Sequence, residues 1–155
     1  MGGGHERALR PGTLAVPNII GFGESCEICN YDSASDNKRI NTLRDLMLSI
    51  LSEAYPSIVV NGDMHQRIPG NLNLSFPGLG EKSLLKNLRM LAVSSGSACT
   101  SSSPSPSHVL KAIGLNDTLI KSTIRVGIGR FNTKEDIVNA SDHMIEVINR
   151  LNKNE

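Results

Sequence analysis

Cys99 is the residue best placed for chemistry. It is followed by Thr100-Ser101-Ser102-Ser103-Pro104-Ser105-Pro106-Ser107-His108, and no large aliphatic or aromatic side chain occurs before Val109. A segment of that composition has nothing with which to anchor to a core. It reads as an exposed, mobile loop, the setting of a thiol that must carry or reach something. No charged residue flanks Cys99, so the sequence names no neighbour to activate it. A chance cysteine beside a serine-rich linker would give the same letters. Arg125 stands among Ile124, Val126 and Ile128 but alternates with them, beside the small Thr123 and Gly127. An arginine rising from a strand beside a glycine can grip a carboxylate with its two-pronged guanidinium; a solvated or salt-bridged arginine is the other reading.

Cys26-Glu27-Ile28-Cys29 supplies two of the four ligands of a structural zinc, and no second pair exists. His65, the next histidine, is not at a ligand spacing, and the pair lacks a strand-to-helix setting, so it reads as two helix-face cysteines and no metal site. Gly21-Phe22-Gly23 and Gly127-Ile128-Gly129 lack the third glycine of a dinucleotide fingerprint. The histidines are scattered; His143 falls on the polar face of the last helix and reads as surface. No carboxylates stand at an acid–base spacing.

These residues must be held by one domain's worth of chain. The 155 residues are 39% hydrophobic and 20% charged, an ordinary globular composition. Sixteen basic against fifteen acidic residues give a net charge of +1, which argues against nucleic-acid binding through bulk charge. Aromatics at 3% without tryptophan argue against a stacking platform for single strands. No apolar run reaches the roughly 18–20 residues of a membrane span, and Met1–Arg10 lacks a signal core. Three cysteines are too few for a disulfide scaffold, so a reducing, cytoplasmic location is expected.

Pro17 opens a helix-like segment to Ser25, interrupted at Gly21 and Gly23, and the polar patch Asn30–Asn37 reads as a bend or loop. From Lys38, the residues Ile40, Leu43, Met47, Ile50 and Ala54 repeat at helical steps until Pro56. Ser57–Val60 reads as a strand closed by Asn61-Gly62-Asp63, and Leu72, Leu74 and Phe76 alternate as a second. Glu81–Leu91 reads as a short helix, Ala92-Val93 as a short strand running into the Cys99 segment, and His108–Ile113 as a helix ended by Gly114. Ile124, Val126 and Ile128 mark a strand with one buried face. Thr133 and Asp136 form a capping box before a last helix that turns Ile137, Ala140, Met144, Ile148 and Leu151 inward. The order predicts an α/β or α+β domain with helices on one face of a small sheet.

The string Ser94-Ser95-Gly96-Ser97-Ala98-Cys99-Thr100-Ser101 resembles the active-site loop of the cysteine desulfurases, pyridoxal-phosphate enzymes that supply sulfur for iron–sulfur clusters. The serine-rich continuation is similar to the long-loop subgroup. The resemblance extends in order over essentially the whole chain. Gly2-Gly3-Gly4-His5-Glu6-Arg7 through Leu9-Arg10-Pro11-Gly12-Thr13, Asn61-Gly62-Asp63, Asn71–Phe76, Gly114–Asp117 and Ser122–Phe131 all match. The glycine-rich start, which alone reads as a flexible terminus or an expression scar, becomes native sequence.

The resemblance implies the C-terminal domain of a fold-type I pyridoxal-phosphate transferase, preceded by a long linking helix. Residues 1–15 would be a remnant of the large cofactor domain, 16–55 linking helices, and 56–155 the small domain with its active-site loop at 94–107. Cys99 would take sulfur from L-cysteine as a persulfide, releasing L-alanine, and could serve as a transient iron–sulfur ligand. Arg125 would bind the substrate carboxylate. Thr13 would reach the phosphate of pyridoxal 5'-phosphate in the neighbouring subunit of a homodimer. The resemblance also implies that the N-terminal cofactor domain, with the lysine that holds the cofactor, lies before Met1; Lys82, Lys86 and Lys111 are not in that lysine's context. A shortened tail puts docking to an iron–sulfur scaffold protein in doubt. The expected role is the C-terminal portion of a desulfurase, inactive alone and without a nucleic-acid or membrane partner. A non-catalytic remnant, or a sulfur-relay or binding module, is the alternative.

Overall fold

The computed structural model describes residues 5–10, 12–79, 84–95 and 106–153. The chain divides into two units, residues 1–36 and 37–155.

In the first unit a short 3-10 turn at His5–Ala8 precedes α1, which begins at Val16 and runs to Ala54. The expected interruption at Gly21 and Gly23 and the expected bend at Asn30–Asn37 are absent: α1 is helical throughout. A helical glycine costs only about 1 kcal/mol relative to alanine. No proline lies between Pro17 and Pro56 to remove an internal N–H. Pro17 itself sits in the first turn, where its missing N–H is not needed. The hydroxyls of Ser25 and Ser35 donate back to the Gly21 and Asp32 carbonyls at 2.7 and 2.9 Å, so these polar residues are accommodated within the helix. Ile19, Ile20, Phe22 and Tyr31 are exposed.

The second unit holds the core. The later turns of α1 bury Ile40, Leu43, Arg44, Met47 and Leu51. Ile50 and Ala54, expected inward, are half-buried and exposed; Leu51 continues the stripe because 3.6 residues per turn carries the face from Met47 to Leu51. The helix stops two residues before Pro56, as expected. Strands β1 (Val59–Val60), β2 (Asn71–Ser75) and β3 (Thr123–Gly127) form an antiparallel sheet in that order. The register sets Leu72 opposite Val126 and Leu74 opposite Ile124, on the face that packs with Met47, Phe76, Met144 and Val147 in one core. Gly70 lies where the backbone passes Ile128: a Cβ there would stand 1.9 Å from the Ile128 carbonyl oxygen, and Ile128 N–H donates to Gly70 O at 2.8 Å.

Among the described residues, three short helices connect these parts. α2 (Leu84–Asn87) is shorter than expected, with Leu88 buried just beyond it and residues 81–83 outside the described set. α3 (His108–Ala112) is capped by the Ser107 hydroxyl and followed by Gly114 at φ 91°. α4 (Asp117–Lys121) has no counterpart among the expected elements; Asn116 caps it, its Oδ1 accepting from Leu119 N–H at 2.9 Å.

α5 (Lys134–Lys153) lays Ile137, Met144, Val147 and Ile148 on the core. Its capping box forms as expected: Thr133 N–H donates to Asp136 Oδ2 at 2.8 Å, and Asp136 N–H to Thr133 Oγ1 at 3.1 Å. The Thr133 backbone N–H first, and then the Thr133 side chain, hold the Asp136 carboxyl below its ordinary range. A depressed folded-state value stabilises above the unfolded value, about 3.9, and the contribution is lost as pH falls through the folded value. Thr133→Ala should cost about 1 kcal/mol at neutral pH. The gap between wild type and Asp136→Ala in denaturant melts should narrow below about pH 4; a gap constant down to about pH 2 would contradict the carboxylate's part in the box.

Candidate functional site

The sheet has a polar second face. Asn71, Asn73 and Ser75 of β2 stand opposite Gly127, Arg125 and Thr123 of β3. One end of this face is closed. Asn61 Nδ2 donates to Asn73 Oδ1 at 2.7 Å and to Ser75 Oγ at 2.8 Å; Ser75 Oγ and Thr123 Oγ1 are 2.6 Å apart, and Thr123 Oγ1 donates to Leu119 O at 2.6 Å. Thr123, the small neighbour of Arg125 on this face, is buried, and this chain of hydroxyls satisfies it.

The other end is open. Arg125 is exposed, and its guanidinium has no hydrogen-bond or ion-pair partner among the described residues. A Cβ added at Gly127 would meet nothing within 4 Å, so that glycine leaves free space at the arginine's flank. Arg125 edges a cavity of about 440 Å³ that also takes in Asn37, Ile68, Pro69 and Asn71. A cation with free donors beside open space can hold a carboxylate or phosphate by paired N–H···O bonds.

The backbone at Arg125 is tied on both sides. β2 pairs with it through Asn73, and on the other edge an isolated antiparallel bridge joins it to Ser94. Arg125 N–H donates to Ser94 O at 2.7 Å, and Ser94 N–H donates to Arg125 O at 3.1 Å. The expected strand at Ala92-Val93 is reduced to this one pair.

Cys99 and residues 96–105 of the expected 94–107 loop lie outside the described residues. Thr13 is exposed, its carbonyl accepting from Arg10 Nη1 at 3.3 Å; its hydroxyl has no partner among the described residues. Thr13 and Arg125 belong to different units. Cys26 and Cys29 are free and exposed on α1, and no group of three metal-ligating side chains occurs among the described residues. No described helix is long and apolar enough to cross a membrane.

His143 is not plain surface. It is half-buried, its Nε2 is shielded without a partner among the described residues, and it lines a second cavity of about 550 Å³ with Leu91, Val93, Val126 and Met144. Asn71 and Asn73, beside and opposite the arginine, are legible in the sequence only as the polar half of an alternating strand. Asn37 and Ser94 carry no signal there, because their nearness to Arg125 depends on register.

The chain is similar to known proteins along nearly its whole length. The family described as aminotransferase class-V matches residues 4–139. The cysteine desulfurase IscS of Shewanella denitrificans is 52% identical over 95% of this chain, and that of Shewanella piezotolerans 50% identical over 97%. Among solved structures, a NifS-like protein superposes with a TM-score of 0.80 at 26% identity over 96% of this chain, and a NifS-like protein from Rickettsia africae with 0.77, also at 26% identity, over 97%. The chain spans 35% to 38% of the length of these relatives. With an α/β small sheet in the same fold and a matching sequence over most of its residues, this chain belongs to the aminotransferase class-V family.

Proposed function

We propose that the chain is the C-terminal portion of a pyridoxal-phosphate-dependent cysteine desulfurase. Cys99 receives sulfur from L-cysteine, and the product chemistry serves iron–sulfur cluster assembly in the cytoplasm. Residues 1–15 belong with the cofactor domain, 16–55 link, and 56–155 form the small domain. The observation that carries the reading is Arg125: an exposed guanidinium beside an open glycine, tied to Ser94 five residues before Cys99. Sulfur-transfer relatives at 52% identity support it.

Each residue's role follows from its chemistry. Arg125 binds and orients the substrate carboxylate. The Cys99 thiolate attacks the substrate sulfur; an S–S bond forms, the carbon–sulfur bond breaks with its electrons left on carbon, and that carbon takes a proton to give L-alanine. Pyridoxal phosphate supplies the electron sink that makes this carbon–sulfur bond labile. Thr13 fits one contact to that cofactor, a hydroxyl to its phosphate across a homodimer. One such hydrogen bond is worth about 1 kcal/mol net, far too little to hold the group. The isolated chain should therefore show no cofactor absorbance after incubation with pyridoxal phosphate and gel filtration. A single lysine fixed to the cofactor by borohydride would overturn this.

The test of the whole reading is reconstitution. Mixing this chain with a polypeptide that carries the lysine-bearing domain should release alanine and sulfide from cysteine. A mixture that binds cofactor yet releases neither would leave the chain as a non-catalytic module. Whether an iron–sulfur scaffold protein docks to the assembled enzyme is read by adding the scaffold to the same mixture.

A further inference from the structure

The closed end of the polar face has a direction. Three contacts run in a row there: Asn61 to Ser75 Oγ at 2.8 Å, Ser75 Oγ to Thr123 Oγ1 at 2.6 Å, and Thr123 Oγ1 to Leu119 O at 2.6 Å. Each needs a proton. The two hydroxyls supply one apiece, and the Leu119 carbonyl can only accept. Thr123 therefore donates to Leu119 and Ser75 to Thr123, so the third proton comes from the amide nitrogen of Asn61. The same nitrogen stands 2.7 Å from the Asn73 amide, so the Asn73 atom that faces it is the oxygen. Asn61 is buried, and its backbone is held on both sides. Its N–H donates to Asn73 O at 2.9 Å, and Arg67 Nη2 donates to its carbonyl at 2.7 Å.

Asn73 is thereby left with its amide nitrogen to offer. That nitrogen has no hydrogen-bond partner among the described residues and is open to solvent. Asn73 is also the residue directly opposite Arg125 in the sheet. Opposite residues of an antiparallel pair bring their Cβ atoms within about 4.5–5.5 Å of each other. Asn71, two residues along and on the cavity side, differs: no hydrogen bond among the described residues fixes its amide, so it can offer either end.

We propose that Asn73 is the second donor of the anion clamp at Arg125, and that Asn61 is the positioning residue that decides which end of the Asn73 amide is offered. The inference rests on the reading of Arg125 as a carboxylate clamp and names what that clamp selects. A guanidinium and an amide nitrogen present only N–H groups. A carboxylate answers them with acceptors alone, whereas a carboxamide or an ammonium brings donors that find no acceptor there. The selectivity thus comes from a chain of hydrogen bonds that begins at a backbone carbonyl in Leu119, away from the ligand.

The experiment uses the chain as it stands and needs no cofactor. The isotopically labelled chain is titrated with sodium acetate at constant ionic strength, and separately with acetamide, which has nearly the same shape without the charge. NMR reads the side-chain NH2 signals of Asn73 and the Nε–H signal of Arg125. Acetate should move both along one saturating curve with a single dissociation constant, and acetamide should move neither over the same range. Asn73→Leu removes the donor and keeps the bulk; Asn61 Nδ2 retains Ser75 Oγ, so the fold should survive. The Arg125 signal should then need roughly two- to fivefold more acetate to reach half its shift. Asn61→Asp places only acceptors beside Asn73, so the Asn73 amide turns over. Its NH2 signals should stop responding to acetate while Arg125 still responds.

Should Asn61→Asp fail to fold, Asn73→Leu decides. An Asn73 signal unmoved by acetate while Arg125 shifts, or an unchanged Arg125 midpoint in Asn73→Leu, overturns the proposal and leaves the arginine clamp standing. If neither signal moves, both are overturned. Inactivity in the reconstituted mixture would sink the desulfurase reading without touching either shift.

Discussion

Cys99→Ser should abolish sulfur transfer in the reconstituted enzyme and leave cofactor binding intact. A free cysteine thiol ionises at about pH 8.5, so a few per cent is thiolate at neutral pH, and sulfur is a strong nucleophile toward sulfur. A serine hydroxyl is essentially un-ionised under the same conditions and offers no sulfur with which to form a persulfide. The loss should therefore be complete within detection, on persulfide labelling of this chain and on sulfide release in the presence of a reducing thiol. The cofactor spectrum, and the shift it shows on adding cysteine, should persist, because Cys99 acts after the substrate is bound. The two readouts separate the roles. Loss of both would make Cys99 a structural residue. Retained persulfide would move the sulfur acceptor elsewhere, with Cys26 and Cys29, both exposed, as the next residues to replace.

What is legible in the letters is whatever depends on near neighbours. Thr133 and Asp136 are three residues apart, and their two hydrogen bonds need nothing from the rest of the chain. Arg125 between Ile124 and Val126 needs only the period of a strand, and the structure leaves it on the exposed face. The departures share one cause. Thr123 shares the polar face with Arg125, yet Ser75, far away in sequence, closes over it. His143 lies on a helix face that the 90–93 segment flanks, so its burial is set by a connection with no periodicity of its own. The 30–37 patch reads as a bend because Ser, Asp and Asn compete with helical hydrogen bonding, but such residues break a helix only where another partner wins. α4 leaves no trace in the pattern because five residues with one capping asparagine carry no period. The same limit hides Ser94, whose meeting with Arg125 is a matter of strand register.

The second large effect belongs to Arg125, and its size depends on where it is measured. On this chain the guanidinium is exposed, and an ion pair in water contributes about 1 kcal/mol at most. In an assembled enzyme that encloses the substrate and excludes water, a charge-assisted two-pronged contact would be worth roughly 2–4 kcal/mol. Arg125→Ala should accordingly raise the KM for cysteine by roughly 30- to 700-fold, with a much smaller change in kcat, because the contact is made in the ground state and the transition state alike. Arg125→Lys keeps the charge but not the fork, so it should fall between the two. A lysine as good as the arginine would mean that only charge matters there and that the geometry beside Gly127 is incidental. An unchanged KM in Arg125→Ala would remove the carboxylate from this position altogether. Gly127→Val tests the space rather than the charge: the backbone has room for the side chain, so the fold should survive, while the branched methyls would occupy the volume beside the guanidinium. A variant that keeps its melting temperature and loses cysteine affinity would locate the substrate at this end of the sheet.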